Sequence, residues 1–258
     1  MIQDTDTKLS SEEIERYARH IILPEIGGAG QQKLKAARVL VVGAGGLGSP
    51  ILTYLAAAGV GTLGIVDDDI VSLSNLQRQV IHKTNTIHQC KTESATAFIK
   101  DINPHVSVEK HNIHLDKSNV DKLINAYHII IDGCDNFTTR YLLADHAAHC
   151  KKPLISGAVE RFSGSLTVLM PYKDYNPHYR DLFPSPPAPG VVPTCAEIGI
   201  IGILPGVIGT LQAMEAIKLI TNIGEPLVGK ILFYNGLSTQ FNVITYKRSD
   251  FSVNNQAP

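Results

Sequence analysis

Apolar runs of four or five residues alternate with longer, helix-spaced stretches through the first 160 residues. Strands are predicted at 39–42, 62–66, 106–110, 128–132 and 153–156. Helices are predicted between them at 47–58, 91–102, 118–125 and 137–149, with a polar loop over 68–90. Short apolar strands separated by helices specify a parallel sheet covered on both faces. After 157 the pattern changes. Segments 165–170, 230–234 and 240–246 alternate with a period of two, which predicts antiparallel strands added at the sheet edge. Ser10-Ser11-Glu12-Glu13 is a capping box that opens a helix running to about 23, and a shorter helix at 30–35 leads into the first strand. A helix at 206–221 follows a long segment, 172–193, rich in proline and aromatics; connections of that length are usually functional or mobile. The expected fold is therefore α/β, Rossmann-like and doubly wound, mainly parallel, with antiparallel strands in its C-terminal part and a disordered tail over 251–258.

The turn after the first strand carries the first chemical signal. Val39-Leu40-Val41-Val42 runs into Gly43-Ala44-Gly45-Gly46-Leu47-Gly48 and then an apolar helix. Glycines at 43, 45 and 48 allow a tight turn, close approach of backbone to phosphate, and close helix–strand packing. The helix N-terminus offers free N–H groups and a positive dipole end to an anion. Asp67 ends the second strand, 19 residues after Gly48, where a carboxylate binds ribose hydroxyls. These features predict a bound nucleotide.

The residues that follow say which kind. The loop reads Asp67-Asp68-Asp69-Ile70-Val71-Ser72-Leu73-Ser74-Asn75-Leu76-Gln77-Arg78-Gln79, and Lys91 opens the third core helix. NAD requires no cation here. A nucleoside triphosphate carries several negative charges, which Arg78 and Lys91 neutralise while Ser74 and Asn75 donate hydrogen bonds. Asp135 follows the fourth strand. It suits a magnesium ion shared with phosphate oxygens, and it also suits the N-cap of helix 137–149. The carboxyl ends of the parallel strands surround one crevice, so Asp67, Arg78, Lys91 and Asp135 are expected to meet there. Asp68, Asp69 and Asp132 read, from the residues alone, as structural.

Composition excludes little more. The net charge of −1 gives no support for nucleic-acid or membrane binding by charge. Four scattered cysteines (Cys90, Cys134, Cys150, Cys195) with no Cys-x-x-Cys pair, and no basic-then-apolar leader, predict reduced thiols and a cytoplasmic protein. The apolar stretch 198–220 is interrupted by Pro205, Glu215 and Lys218 and reads as a buried loop and helix, since a membrane span needs about 20 uninterrupted apolar residues.

With these residues assembled, the chain resembles the MoeB/ThiF/HesA family, bacterial relatives of ubiquitin-activating enzymes, and looks most like MoeB. The resemblance covers about residues 10–248. It rests on Arg16-Tyr17-Ala18-Arg19-His20-Ile21-Ile22-Leu23, the glycine turn, Asp67-x-Asp69 with Ser72-Leu73-Ser74-Asn75-Leu76-Gln77-Arg78-Gln79, and Lys91. Asp132-x-x-Asp135-Asn136, Ser156-Gly157-Ala158 and Gly209-Thr210-Leu211-Gln212-Ala213-Met214-Glu215-Ala216-Ile217-Lys218 complete it. The resemblance implies ATP-dependent, magnesium-assisted adenylation of the C-terminal glycine of a ubiquitin-like sulfur carrier of the MoaD or ThiS type, ending in Gly-Gly. The carrier then serves molybdopterin or thiamine synthesis, with sulfur from a separate donor such as a cysteine desulfurase. It implies one adenylation domain over 1–250: an N-terminal helical arm (10–36), a nucleotide-binding core (37–157) and a carrier-binding and lid part (158–248). It adds Gly46, Asp69 and Asn136 to the nucleotide contacts. It also implies a homodimer, in which Arg19 matches an arginine that reaches the neighbouring subunit's phosphates. Cys195 stands where some relatives carry a cysteine linked to later carrier chemistry; a reactive thiolate and an inert loop cysteine are both open. Alternatives are adenylation of another acyl group or a transfer-RNA base, an NAD-dependent dehydrogenase, and a catalytically silent nucleotide-binding module.

One departure bears on metal content. Many relatives hold zinc with two Cys-x-x-Cys pairs, but the first position here reads His178-Tyr179-Arg180-Asp181 and the C-terminal tail has no cysteine. A tetrahedral thiolate site cannot be assembled, and His178 with Asp181 is too small a ligand set. The protein is expected to carry no stoichiometric zinc; elemental analysis finding one zinc per chain would overturn this.

Overall fold

The computed structural model describes residues 8–187 and 199–249. Eight strands form one sheet: β1 (Arg38–Val42), β2 (Thr62–Val66), β3 (Ser107–His111), β4 (Ile129–Asp132), β5 (Leu154–Glu160), β6 (Ser163–Leu169), β7 (Lys230–Asn235) and β8 (Gln240–Thr245). Their spatial order is β3-β2-β1-β4-β5-β6-β7-β8. Strands β1 to β5 pair in parallel, and β5 to β8 pair antiparallel, as the change of pattern near 157 predicts.

The central strands β1, β2 and β4 are largely apolar because alternate residues enter two different cores. Val39 and Val41 of β1 face α4 (Gly48–Ala57), α5 (Lys91–Ile102) and α9 (Ile203–Thr221), with Ile51, Leu55, Ile99 and Ile208. Leu40 and Val42 face α6 (Val120–Asn125) and α7 (Phe137–His149), with Ile124, Tyr141 and Leu143. Burying a side chain of this size contributes about 1.5–3 kcal/mol, so shifting β1 by one residue would exchange both cores at once. Helix α9 is long and apolar enough to cross a membrane, but half of it is buried inside this fold, where it packs on α4, β5 and β6.

Boundaries differ from expectation for local reasons. The predicted N-terminal helix is two helices, α1 (Ser11–Arg16) and α2 (Ala18–Ile21), with Ser10 and Glu13 closing the capping box. The break falls at Tyr17, which turns inward: its hydroxyl accepts from Asn103 Nδ2 at 2.8 Å, and its ring occupies the space a side chain on Gly59 would need. Helix α3 runs Gly27–Ala36, and α9 starts three residues early because Pro205 falls in its first turn, where no N–H is needed. Strands β5 and β6 are longer than predicted, since they form a hairpin through Arg161, whose φ is 50°. The predicted polar loop contains two short 3-10 turns, Leu73–Asn75 and Thr84–Thr86. The predicted disordered tail lies outside the described residues.

A buried ion pair fastens the end of β4 to its neighbours. Asp132 is fully buried; its Oδ2 accepts from Arg140 Nε at 2.9 Å and Ser156 Oγ at 2.9 Å, and its Oδ1 accepts from the Cys134 N–H at 3.1 Å. Arg140, on α7, also donates to the carbonyls of Cys134 (3.0 Å) and Gly157 (3.2 Å). The Cys134 thiol, pushed well up by burial and by Asp132, donates to that carboxylate. Removing one partner of such a pair leaves a buried charge uncompensated. Asp132→Ala is expected to lower unfolding free energy by about 3–5 kcal/mol, and Ser156→Ala by only about 1 kcal/mol, measured by urea denaturation.

Candidate active site

The chain reverses from β1 into α4 through a turn that admits no side chain at two places. Gly43 has φ of +98°, and a Cβ there would lie 2.6 Å from the Gly133 carbonyl oxygen. A Cβ on Gly48 would overlap the Gly43 carbonyl. Gly48 therefore serves packing and stays off the cavity lining, while Gly43, Gly45 and Gly46 form one wall. The turn is held from outside: Gly43 N–H donates to Val66 O at 2.8 Å, and Ala44 N–H to Asp67 Oδ2 at 2.8 Å. The cavity has a volume of about 790 Å³. It lies over the carboxyl ends of β1 and β4, where the strand order reverses, and continues along β5, β6 and β7 past Ser165, Thr167, Ile231 and Phe233.

Asp67, Asp69, Arg78, Lys91, Asp135 and Asn136 all line it, so the predicted charge set does converge. Asp67 is nearly buried, at 9% side-chain exposure, and Lys91 at 7%. Lys91 Nζ lies 2.8 Å from Asp69 Oδ2 and 4.0 Å from Asp67 Oδ1. Burial pushes the Asp67 carboxyl above its ordinary range, outweighing Lys91 and the N–H donors of Ala44 and Asp69. Arg78 anchors its guanidinium on the Ser74 carbonyl at 3.0 Å. Asp135 is exposed, and its carboxylate makes no hydrogen bond or ion pair among the described residues.

Other expectations change. Ser74 and Asn75 do not line the cavity: Asn75 Oδ1 accepts from Ser72 N–H at 3.1 Å and the Ser74 hydroxyl meets that of Ser72 at 3.1 Å, so both are spent on the turn that presents Arg78. The N-cap of α7 is Asn136, which accepts from Thr139 N–H at 2.9 Å; Asp135 is left free. Arg19 lies on exposed α2, outside the cavity lining. Cys195 and residues 188–193 of the predicted lid lie outside the described residues. Of that lid, Tyr179 on α8 (Tyr179–Leu182) and Phe183 do line the cavity. Asp181 is taken up by Ser249 Oγ (2.7 Å), Ser249 N–H (3.0 Å) and His178 N–H (2.7 Å). Among the described residues no group of three or more His, Cys, Asp or Glu side chains forms a metal cluster.

Three contributors escaped the sequence reading. Arg140, 7% exposed on the buried face of α7, holds Asp132 below the cavity lining. Gln79 is 4% exposed on the cavity wall against Gly45, with its Oε1 unpartnered among the described residues. His82, 5% exposed, holds the glycine turn from behind. The available signal was two polar residues, Gln79 and His82, flanking the apolar pair Val80-Ile81 directly after Arg78.

Fold and site together define an α/β nucleotide-binding protein built to hold a polyanion. The chain belongs to the ThiF family, whose description matches residues 17–253. It is 48% identical over 239 residues to the SAMP-activating enzyme E1 of Haloferax volcanii, covering 93% of this chain and 87% of that one. It is 44% identical to the sulfur carrier protein adenylyltransferase of Thermus thermophilus, covering 93% and 90%. It is 49% identical to the "Probable adenylyltransferase/sulfurtransferase MoeZ" of Mycobacterium tuberculosis, but spans only 62% of that protein. Among solved structures, Escherichia coli MccB superposes with a TM-score of 0.80 at 22% identity, over 93% of this chain and 72% of that one, which shows the shared fold.

The buried carboxylate gives a test with a definite sign. An acid whose folded pKa is raised favours the folded state below its unfolded value and costs stability above the raised one. Asp67→Asn keeps an acceptor for Ala44 N–H and removes that cost. The variant is expected to gain stability relative to the parent as pH rises through and above the usual aspartate range; if Asp67 is the ribose ligand its position predicts, ATP affinity falls about tenfold or more. Thermal unfolding across pH and calorimetric titration with ATP measure the two.

Proposed function

We propose that this protein is an ATP-dependent adenylyltransferase acting on the C-terminal glycine of a ubiquitin-like sulfur carrier. The observation that carries this is one continuous cavity. Its first half holds the glycine turn with Asp67, Lys91 and Arg78. Its second half is an open trough along β5 to β7 that fits an extended chain end. A hydride-transfer reading gives Arg78 and Lys91 no role.

The chemistry follows from charge. The carrier carboxylate attacks the α-phosphorus; a carboxylate–phosphorus bond forms, the bond to the bridging oxygen breaks, and pyrophosphate leaves with the electron pair. Two anions must approach, so lowering their repulsion is the main task. Arg78 and Lys91 supply fixed cations beside the glycine turn, Asp67 holds the ribose, and no protein nucleophile is needed. Magnesium fits the site, because Asp135 offers an unpaired carboxylate facing the cavity; when bound it would neutralise phosphate charge there. We assign Asp69 the task of orienting Lys91, at 2.8 Å, and the backbone of Asn136 that of presenting Asp135.

The chain is further proposed to act as a homodimer, with Arg19 supplied across the interface. Tyr54, Val80, Ile203, Val207, Leu211 and Phe241 line a second, apolar groove of about 570 Å³ that a second copy would cover. The carrier is assigned to molybdopterin or thiamine synthesis, with sulfur delivered by a separate donor.

Pyrophosphate–ATP exchange tests this reading. With magnesium, exchange is expected only when a carrier ending in Gly-Gly is added, and the identity of that carrier names the pathway. Arg78→Ala is expected to fold normally and to lose about a hundredfold or more of the rate. A protein that binds ATP but shows no exchange with any such carrier would overturn the proposal.

A further inference from the structure

We infer that His82 is a positioning residue for phosphate binding: it pins the Ala44 carbonyl behind the glycine turn and thereby aims the Gly45 N–H into the cavity. The inference rests on the ATP-binding reading above.

The geometry is that of a single peptide plane. His82 Nε2 lies 2.9 Å from the Ala44 carbonyl oxygen. A carbonyl only accepts, so Nε2 carries the hydrogen, and Nδ1 of the neutral ring is left as an acceptor facing Ser94 Oγ, 2.9 Å away, a hydroxyl that also lies 3.0 Å from Thr86 Oγ1. Burial, with Lys91 nearby, pushes the ring's pKa down and keeps it neutral, which fixes this tautomer. Carbonyl and N–H of a trans peptide point in opposite directions. Ala44 is fully buried, whereas Gly45 lines the cavity. With the carbonyl drawn toward His82, the Gly45 N–H is turned to the other side, and it has no acceptor among the described residues.

The peptide needs such a hold because glycine neighbours resist rotation poorly. Ala44 N–H is fixed by Asp67 at 2.8 Å, which secures the preceding peptide. Nothing else among the described residues holds the Ala44 carbonyl. A flip of the Ala44–Gly45 peptide would replace a donor facing the phosphates with an acceptor that repels them. His82 thus keeps the anion cradle in its binding form before ATP arrives, the preorganisation that makes a fixed donor effective.

The test separates phosphate binding from nucleoside binding. Dissociation constants for ATP and for adenosine are measured by calorimetry on the parent, His82→Ala, His82→Gln and Ser94→Ala, with thermal unfolding as a control. His82→Ala is expected to weaken ATP about tenfold, less than outright loss of a preorganised donor, and to leave adenosine within about twofold. His82→Gln, whose Nε2 can reach the same carbonyl, should recover most of the ATP affinity. Should His82→Ala fail to fold, Ser94→Ala, which frees the ring at Nδ1, carries the same selective loss in weaker form. Equal weakening of ATP and adenosine, unchanged ATP binding, or no recovery in a folded His82→Gln would overturn the inference alone. A parent protein that binds adenosine but gains nothing from the phosphates would overturn the ATP reading as well.

Discussion

The Gly43–Gly48 turn is packed so tightly that backbone touches backbone: a side chain at Gly48 would strike the Gly43 carbonyl, and one at Gly43 would strike Gly133. This contact sets the distance between β1, the first turn of α4 and the end of β4. Because no side chain lies between them, the backbone of Gly43, Gly45 and Gly46 forms the floor of the cavity. The sheet order places the ends of β2 and β4 on either side of this turn, so Asp67 and Asp135 reach it from opposite flanks. Loosening the turn would move the floor and both walls together.

Around the turn, the protein buries polar groups that would be expensive if left alone and uses each to fix another. Asp67 accepts from the turn and from Asp69 N–H while lying near Lys91. Asp132 and Arg140 join β4, α7 and β5 directly beneath the Asp135 loop. Buried pairs of this kind add little net stability compared with apolar packing, but breaking them is costly. Their effect is to restrict the site to one arrangement. Asp135, by contrast, is exposed and unpaired among the described residues.

The strand–helix alternation and the convergence of Asp67, Arg78, Lys91 and Asp135 were legible because both follow from local pattern and from the rule that parallel strands end at one crevice. What escaped depended on contacts between distant segments. Tyr17 breaks its helix because Gly59 and Asn103, more than 40 and 80 residues away, receive its ring and hydroxyl. Arg140 falls on the buried face of α7 with Leu143, Ala144 and Ala147, where a cation has no evident partner until Asp132 and the Gly157 carbonyl are seen beneath it. Ser74 and Asn75 had the right chemistry for phosphate, but their side chains close the turn that carries Arg78. A motif can therefore hold two kinds of residue, those that point at the ligand and those that shape the loop, and sequence spacing does not separate them.

The switch from parallel to antiparallel pairing at β5 also shapes what the cavity can accept. Each parallel connection requires a crossover segment, and the helices in those crossovers cover the sheet. The β5–β6 hairpin needs no helix, so the face that continues from the cavity opens toward Phe233 and Ile244, while Thr167 and Ile231 stay buried. Register places Thr167, Ile231 and Ile244 in one row across that face and Ser165, Phe233 and Asn242 in the next. Phe233 is 41% exposed and Ile244 53%; on the other face, Leu166 of β6 and Leu232 of β7 join the core that includes α9. Closed glycine-turn floor and open trough thus come from one change in strand direction, and the end of a chain lying in the trough would be delivered to the glycine turn at the end of β1.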